Sequence, residues 1–204
     1  SGKSSIINLF MRFYEFDRGQ ILIDGHDIRQ VTIESLRQQR GIMTQDNFLF
    51  SGTIKDNIRY GKLDATDEEI IEAARSVHAH DFISKLEKGY DTEINERGTR
   101  LSNGQRQLIA FARTMLSKPQ ILILDEATSS IDTHTEALVQ QGIEAMLAGR
   151  TSFVIAHRLS TIKNADRIFV MDDGQIKESG SHDELLAAKG AYYKLYAAQF
   201  KNIV

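Results

Sequence analysis

The pattern of apolar and polar positions along the chain predicts short buried strands that alternate with amphipathic helices. The clearest strand covers residues 121–124, where four large apolar side chains precede Asp125 and Glu126. Such a run is too short for a helix with one dry face, but it suits a strand buried on both faces of a parallel sheet. Similar strands with polar ends are predicted at residues 151–157, as a second buried strand, and at 41–46. The pattern therefore predicts an α/β fold with a parallel-sheet core.

Helix starts are marked by Ser or Thr followed three residues later by Glu or Gln, the signature of a capping box. This signature occurs at Thr66, Ser102 and Ser181. Together with apolar residues at helical spacing, it predicts helices at 33–40, 69–77, 102–116 and 135–147, the last capped by Asp132 or Thr133, and an amphipathic tail at 184–200. The dipeptides Asp24-Gly25 and Asp173-Gly174 predict hairpin turns within 20–28 and 167–179.

The order of these elements predicts one domain with a helical insertion. Residues 47–116 have helical patterns and separate the strand at 41–46 from the strand at 121–124. We therefore predict a core formed by residues 1–46 and 117–204, and a helical subdomain at 47–116. A subdomain inserted in this way can move relative to the core.

Composition excludes several classes of function. The chain has 204 residues and a formal net charge of −3, so no basic field favours nucleic acid as a partner. Cysteine is absent, which excludes disulfides and thiolate metal sites. No apolar run approaches the ~18 residues of a membrane-spanning helix, and we see no signal peptide.

Two stretches carry the chemistry of phosphates. Asp125 and Glu126 follow a buried strand, so one carboxylate could hold a hydrated Mg²⁺ while the other orients and deprotonates a water. The alternative is that both acids simply cap the next helix. The segment Gly2-Lys3-Ser4 matches the closing half of a phosphate-binding loop, although three residues can also match by chance.

Three further candidates lie at a helix start or at strand ends. A helix that begins after Ser102 exposes backbone donors that suit an anion, or it is an ordinary capped helix. Gln45 could supply a neutral ligand to a metal or a water, or be solvated. His157 could bond a phosphate oxygen or the attacking water, or be a structural histidine.

Taken together, the motifs resemble those of the ATP-binding cassette (ABC) ATPases. The resemblance covers the whole chain and rests on Ser-Gly-Lys-Ser-Ser at residues 1–5, Gln45, Leu-Ser-Asn-Gly-Gln at 101–105, the strand before Asp125, and His157. It implies a P-loop NTPase core of the RecA-like type. Three other stretches look closest to the exporter branch of the family: 47–54, 92–98 and 155–161.

The resemblance implies a function and partners. The chain is expected to be an ATP-binding and ATP-hydrolysing motor domain that powers transport through ATP-dependent pairing of two cassettes. The implied cofactors are ATP and Mg²⁺. The implied partners are a second cassette, identical or different, and a transmembrane domain that usually precedes the cassette in the same polypeptide, which places the domain at the cytoplasmic face of the membrane.

Residue by residue, the resemblance assigns the nucleotide side of the site. The residues implied to bind phosphates are Gly2, Lys3, Ser4 and Ser5. Those implied to serve Mg²⁺ are Ser4, Gln45 and Asp125. Glu126 would be the general base and His157 would contact the γ-phosphate. Gln45 would also be a catalytic residue.

The same resemblance assigns residues to the partner cassette. Cassettes of this family bury ATP between two copies arranged head to tail. Four residues would therefore serve the partner's nucleotide: Ser102, Asn103, Gly104 and Gln105. Asp132 would lie at the seam between the cassettes.

The chain also departs from the family pattern. The first half of the phosphate loop (the Walker A motif) and the strand before it are missing, so we expect the chain as given to bind ATP poorly and to be inactive. Asn103 replaces a usual glycine, and we expect the loop to tolerate it because Asn adopts left-handed backbone angles more readily than most residues. Asn95 replaces another frequent glycine.

Two alternative functions remain open at this point. One is a catalytically weak, regulatory half of a heterodimeric transporter, which the change at Asn103 favours. The other is a soluble cassette ATPase of translation or DNA repair, which the exporter-like stretches argue against.

Overall fold

The computed structural model describes residues 2–44, 48–94, 101–125, 133–155 and 159–200. The chain divides into two compact units. The larger unit is Thr32–Val154, and the smaller unit combines Ser1–Val31 with Ile155–Val204. In the part of the chain that the structure describes, no helix has the length and apolar character needed to cross a membrane.

Short strands and helices alternate along the chain. In the first half these are α1 (Lys3–Phe10), β1 (Leu22–Ile23), β2 (His26–Asp27), α2 (Ile33–Gln38), β3 (Arg40–Met43), β4 (Gly52–Thr53), α3 (Ile54–Arg59), α4 (Asp67–Ser76), α5 (His80–Ile83), a 3₁₀ turn (Gly89–Asp91) and β5 (Glu93–Ile94). In the second half they are α6 (Asn103–Leu116), β6 (Ile121–Asp125), α7 (Thr133–Leu147), β7 (Thr151–Ile155), α8 (Leu159–Lys163), β8 (Ile168–Asp172), β9 (Gln175–Gly180), α9 (His182–Ala188) and α10 (Ala191–Phe200).

The larger unit contains a sheet with the order β3-β6-β7. β3 and β6 are parallel, with Arg40 opposite Ile121 and Met43 opposite Leu124. The apolar positions of β6 are all buried, which confirms the strand that the four-residue apolar run predicts. The structure therefore confirms the α/β class with a parallel-sheet core.

β7 is less buried than the prediction of a second buried strand implies. Thr151 and Phe153 share one face of the strand, and Phe153 is 46% exposed. Val154 points the other way and packs against the main apolar core. An apolar sequence shows that a strand can be buried, but whether a face is covered depends on what packs there.

The helices of the larger unit pack around α6, which contacts α3, α4, α7 and β3. Its inner face is fully buried at Leu108 and Ile109. A small antiparallel ladder, β4 with β5, accompanies these helices. The boundaries of the helical subdomain at residues 47 and 116 stay a prediction.

The local signals at the helix ends are confirmed. Thr66, Ser102 and Ser181 each form a capping box with the side chain three residues later. A fourth capping box, between Thr53 and Asp56, was not predicted because Asp stands where the signature has Glu or Gln. The predicted helix at 33–40 ends at Gln38, since Arg40 already pairs in β3.

The smaller unit contains α1 and two hairpins, β1-β2 and β8-β9, that turn where the sequence predicts. Asp24 and Gly25 have φ angles of 48° and 81°, and Asp173 and Gly174 have 48° and 70°. Two consecutive positive φ angles are typical of the tight turn that matches the twist of a hairpin. The tail at 184–200 is two helices, because Lys189 ends α9 in the left-handed conformation.

A carboxylate on β9 caps the last helix. Glu178 accepts hydrogen bonds from the backbone N–H groups of Ala191 and Tyr192, at 2.5 and 2.9 Å. These bonds, the one from Tyr192 first, hold the pKa of Glu178 below its ordinary value. A Cβ on Gly190 would lie 2.1 Å from the Glu178 carboxylate, so this close approach requires glycine.

Replacing Gly142 on α7 with alanine tests the packing of α7 on α6. Alanine favours a helix over glycine, but its Cβ would lie 2.9 Å from the ring of Phe111, which is 1% exposed. We expect Gly142→Ala to lower the free energy of unfolding by about 1–3 kcal/mol, as overpacking does. Chemical unfolding measures this, with Gln141→Ala at the adjacent exposed position as the control. A gain in stability would contradict the packing.

Replacing Glu178 with glutamine tests the cap on α10 through its pH dependence. A lowered pKa means that the carboxylate stabilises the fold above the ordinary value of 4.5, and that this contribution is lost as the pH falls through the lowered value. We expect Glu178→Gln to be less stable than the unaltered protein at neutral pH, because its amide can accept only through one atom. The difference should shrink as the pH falls to about 3, as unfolding across that range would show. A difference that is independent of pH would contradict this cap.

Candidate functional site

The first candidate element is the start of α1. Gly2 precedes the helix with φ 86° and ψ 2°, a left-handed conformation that favours glycine, and the helix begins at Lys3. Lys3, Ser4 and Ser5 are exposed, and the first turn contains no acidic residue. The first backbone N–H groups of a helix have no partner within it, and they lie at the positive end of the helix dipole. This arrangement suits a phosphate.

The second candidate element is the edge of the sheet where β3 and β6 end. Since Met43 lies opposite Leu124, Thr44 and Asp125 follow side by side. Asp125 is half-buried. Among the described residues, no Lys, Arg or His comes within ion-pair distance of its carboxylate. A half-buried carboxylate without a described cation suits a hydrated divalent metal ion.

The third candidate element is the start of α6. The hydroxyl of Ser102 accepts the backbone N–H of Gln105 at 3.2 Å, and the Gln105 side chain accepts the backbone N–H of Ser102 at 3.0 Å. Ser102 and Asn103 are exposed, whereas Gly104 is buried. The first turn of α6 also contains no acidic residue.

Asn103 does not use the left-handed backbone that the sequence analysis invoked. It is the first residue of α6, and a helical conformation is open to any residue there. Its side-chain oxygen accepts a hydrogen bond from Arg106, whose guanidinium also donates to the carbonyl of Leu101 at 3.2 Å. The helix start is therefore compatible with Asn for a different reason from the predicted one.

The predicted site residues are divided between the units. Residues 2–5 belong to the smaller unit, whereas Asp125 and residues 102–105 belong to the larger unit. Gln45, Glu126, Asp132 and His157 lie outside the described residues, so their roles stay predictions.

The predicted magnesium ligands are not part of an acidic or histidine cluster in the described ranges. No group of three or more His, Asp or Glu residues in these ranges is placed to hold a metal ion. The predicted set has another character, since it combines a hydroxyl, an amide and one carboxylate. Of its members, the described Ser4 is exposed and Asp125 is half-buried at a strand end. Both are oxygen donors of the kind that Mg²⁺ prefers.

Sequence reasoning missed a polar junction in the larger unit. Arg113 on α6 donates to the backbone of Asn57 on α3 and to that of Phe48. Asn57 is fully buried. The available signal was Arg113, which follows an apolar run in α6 and so requires partners if it is buried, whereas Asn57 lies in a mostly polar helix that gives no such signal.

The parallel sheet, the helix start after Gly2 and the acid at the end of β6 define a P-loop type of α/β fold, as predicted. A sequence model of the family described as ABC transporter matches residues 1–129. The chain therefore belongs to the ABC transporter family, and its fold is that of the family's ATPase domain.

Individual relatives agree with this family. The chain is 57% identical over 201 residues to the ATP-dependent lipid A-core flippase of Syntrophus aciditrophicus, covering 98% of this chain and 33% of the flippase. It is 52% identical over 198 residues to a putative multidrug export ATP-binding/permease protein of Staphylococcus aureus, covering 97% and 34%. The chain thus spans about a third of the length of these relatives.

A solved structure supports the fold directly. A bacterial Atm1-family ABC exporter with ATP bound matches with a TM-score of 0.88 at 47% identity, covering 98% of this chain and 35% of that chain.

Substitution of two capping serines tests the start of α6. Ser102→Ala and Ser181→Ala each remove a hydroxyl that accepts a backbone N–H in the same type of box. We expect each change to lower the free energy of unfolding by about 1 kcal/mol, measured by chemical unfolding. Because Ser181 lies outside the candidate site, it provides a matched control for the cap alone. An unchanged stability of Ser102→Ala would contradict the capping geometry.

Proposed function

We propose that this chain is the ATP-binding and ATP-hydrolysing motor domain of an ABC exporter. The observation that carries the proposal is the start of α1, where the left-handed Gly2 leads into a helix whose exposed first residues are Lys3, Ser4 and Ser5. A helix start with free backbone donors, a lysine and hydroxyls has the chemistry that binds a polyphosphate. The family of the chain supports the same reading.

Phosphate binding is assigned to the first turn of α1. The backbone N–H groups that follow Gly2 would donate to phosphate oxygens, and Lys3 would neutralise their charge. Ser5 would add a hydroxyl donor. The exposure of all three side chains supports this role, since none of them is used in the packing of α1.

Metal binding and water activation are assigned to the strand ends. Ser4, Gln45 and Asp125 would hold Mg²⁺, which when bound neutralises charge on the phosphate oxygens. Glu126 would accept a proton from the attacking water, and His157 would contact the γ-phosphate. Phosphoryl transfer depends on positioning and charge neutralisation, and residues at the ends of packed strands suit that requirement.

The start of α6 is assigned to the nucleotide held by a second cassette. The exposed segment at residues 102–103 and the acid-free first turn support binding of an anion from outside the chain. Asp132 would lie at the seam between the two cassettes. With the site divided in this way, hydrolysis requires pairing, so ATP binding and release can shift a two-state equilibrium.

The partners proposed for the chain are a second cassette, identical or different, and a transmembrane domain, with the cassette at the cytoplasmic face of the membrane. The relatives support this, because their names describe a flippase and an export ATP-binding/permease protein and the chain spans about a third of each. The same names favour an exporter over a soluble ATPase of translation or DNA repair. We propose no nucleic-acid partner.

The experiment that tests this function measures the solution mass of a Glu126→Gln variant, with and without Mg-ATP. The variant is made in an extended form of the chain that includes a complete phosphate loop. The change keeps the shape of the side chain and removes the base, so the variant should bind ATP without hydrolysing it. We expect the mass to double only when ATP is present, while the unaltered form hydrolyses ATP and returns to a monomer.

A second variant controls for non-specific association. Lys3→Met in the Glu126→Gln background removes the phosphate-binding lysine, so its mass should stay that of a monomer with ATP. A Glu126→Gln form that binds ATP and stays a monomer would indicate a different cassette as partner, as in a regulatory half of a heterodimer. Absence of ATP binding in the unaltered extended form would contradict the proposed function.

A further inference from the structure

The polar junction between α6 and α3 is the part of the larger unit that the proposed function does not use. Its first half is Asn57, whose side chain is fully buried on α3. The side-chain oxygen accepts the backbone N–H of Phe50 at 2.9 Å and a guanidinium N–H of Arg113 at 3.0 Å. The side-chain nitrogen donates to the carbonyls of Phe50 and Thr53, at 2.9 and 3.0 Å. The amide therefore uses all of its usual hydrogen-bonding capacity.

The second half of the junction is Arg113. Its Nε donates to the carbonyl of Asn57 at 2.8 Å, and one terminal nitrogen donates to the carbonyl of Phe48 at 3.0 Å. The guanidinium carbon also lies 5.4 Å from the ring centroid of Phe50. Only a planar guanidinium reaches three acceptors in different directions from one position. Lysine would keep the charge but could not reproduce this set.

The junction lies between two parts of the chain that carry predicted site residues. Arg113 lies on α6, the helix whose first turn follows Ser102. Phe48 is three residues after Gln45 in the sequence. Arg113 and Asn57 therefore connect the helix that carries residues 102–105 with residues 48–50, the described segment that comes after Gln45 in the sequence.

We propose that Arg113 is a positioning residue for ATP hydrolysis, which together with Asn57 holds the segment after Gln45 to the helix that carries residues 102–105. The inference rests on the proposed function. A small misplacement of a group that orients water or metal reduces the rate of phosphoryl transfer steeply, whereas the phosphate contacts proposed for residues 2–5 do not involve the junction. Loss of the junction should therefore lower kcat and leave KM for ATP nearly unchanged.

Arg113→Lys in the full-length protein tests this inference. We expect kcat to fall about tenfold or more, the scale that misplacement of a reacting group produces, with KM for ATP changed by less than about twofold. The value of kcat is expressed per ATP-binding site, counted with a tightly bound fluorescent ATP analogue, so that unfolded protein does not lower it.

Arg150→Lys is the matched control. Arg150 donates to three backbone carbonyls, those of Pro119, Met146 and Ala148, at 3.1, 2.9 and 3.1 Å. The Arg150→Lys variant therefore loses the same type of interaction, at a place where Arg150 has no hydrogen bond to the segment after Gln45. We expect its kcat per site to equal that of the unaltered protein. Equal falls in both variants, or an unchanged kcat per site in Arg113→Lys, would overturn the inference.

Hydrogen exchange on the unaltered protein keeps the inference testable if Arg113→Lys does not fold. When a non-hydrolysable ATP analogue binds, the protection of the backbone amides from exchange should change together in residues 48–54 and in α6. Independent changes would overturn the inference. If the unaltered protein binds ATP but does not hydrolyse it, both the proposed function and this inference fail. If the unaltered protein is active and Arg113→Lys is equally active, only this inference fails.

Discussion

The parallel pairing of β3 with β6 is the constraint on which the rest of the larger unit depends. Leu122 and Ile123 are almost completely removed from water, and each buried side chain of this size stabilises the fold by about 1.5–3 kcal/mol. Gly41 on β3 allows α6 to pack closely on the strand, since a Cβ there would lie 2.7 Å from the side chain of Thr114 on α6. Because the register is fixed, the two strands end at the same edge and Asp125 is held there by a rigid support. Positioning of this kind is what phosphoryl transfer requires.

The second rigid body is α6, which connects the sheet to the other helices. It packs against β3 on one side and against α3, α4 and α7 on others. Its first turn follows Ser102 and its later turns carry Arg113, so residues 103–105 and Arg113 lie on one helix of fourteen residues. The hydrogen-bonded backbone of a helix fixes the spacing between its turns. The proposed hold on residues 48–50 is therefore exerted from the same helix that begins with residues 102–105.

Local chemistry was predictable from the sequence, and long-range environment was not. The boxes at Thr66 and Ser102 and the turn at Asp24-Gly25 depend on a few adjacent residues, so their signals are complete in the sequence. Whether the face of β7 that carries Phe153 is covered depends on residues distant in the chain, which a local pattern does not reveal. Arg113 and Asn57 are 56 residues apart, and neither has a local pattern that identifies the other. The places of Glu126 and His157 at strand ends suggested several possible roles, and only the resemblance chose one role for each.

The capping boxes differ in the charge that they place at the helix starts. Those of α3, α4 and α9 use the carboxylates of Asp56, Glu69 and Glu184. In the boxes of α3 and α9, the hydrogen bonds hold the pKa of Asp56 and of Glu184 below the ordinary value. The box of α6 uses the neutral amide of Gln105 instead. A carboxylate at this position would stabilise the positive end of the helix dipole, but it would repel a phosphate brought to the same end. The amide keeps the cap without adding a negative charge, and the first turn of α1 at Lys3 also contains no acidic residue, as the proposed binding of phosphates at both helix starts requires.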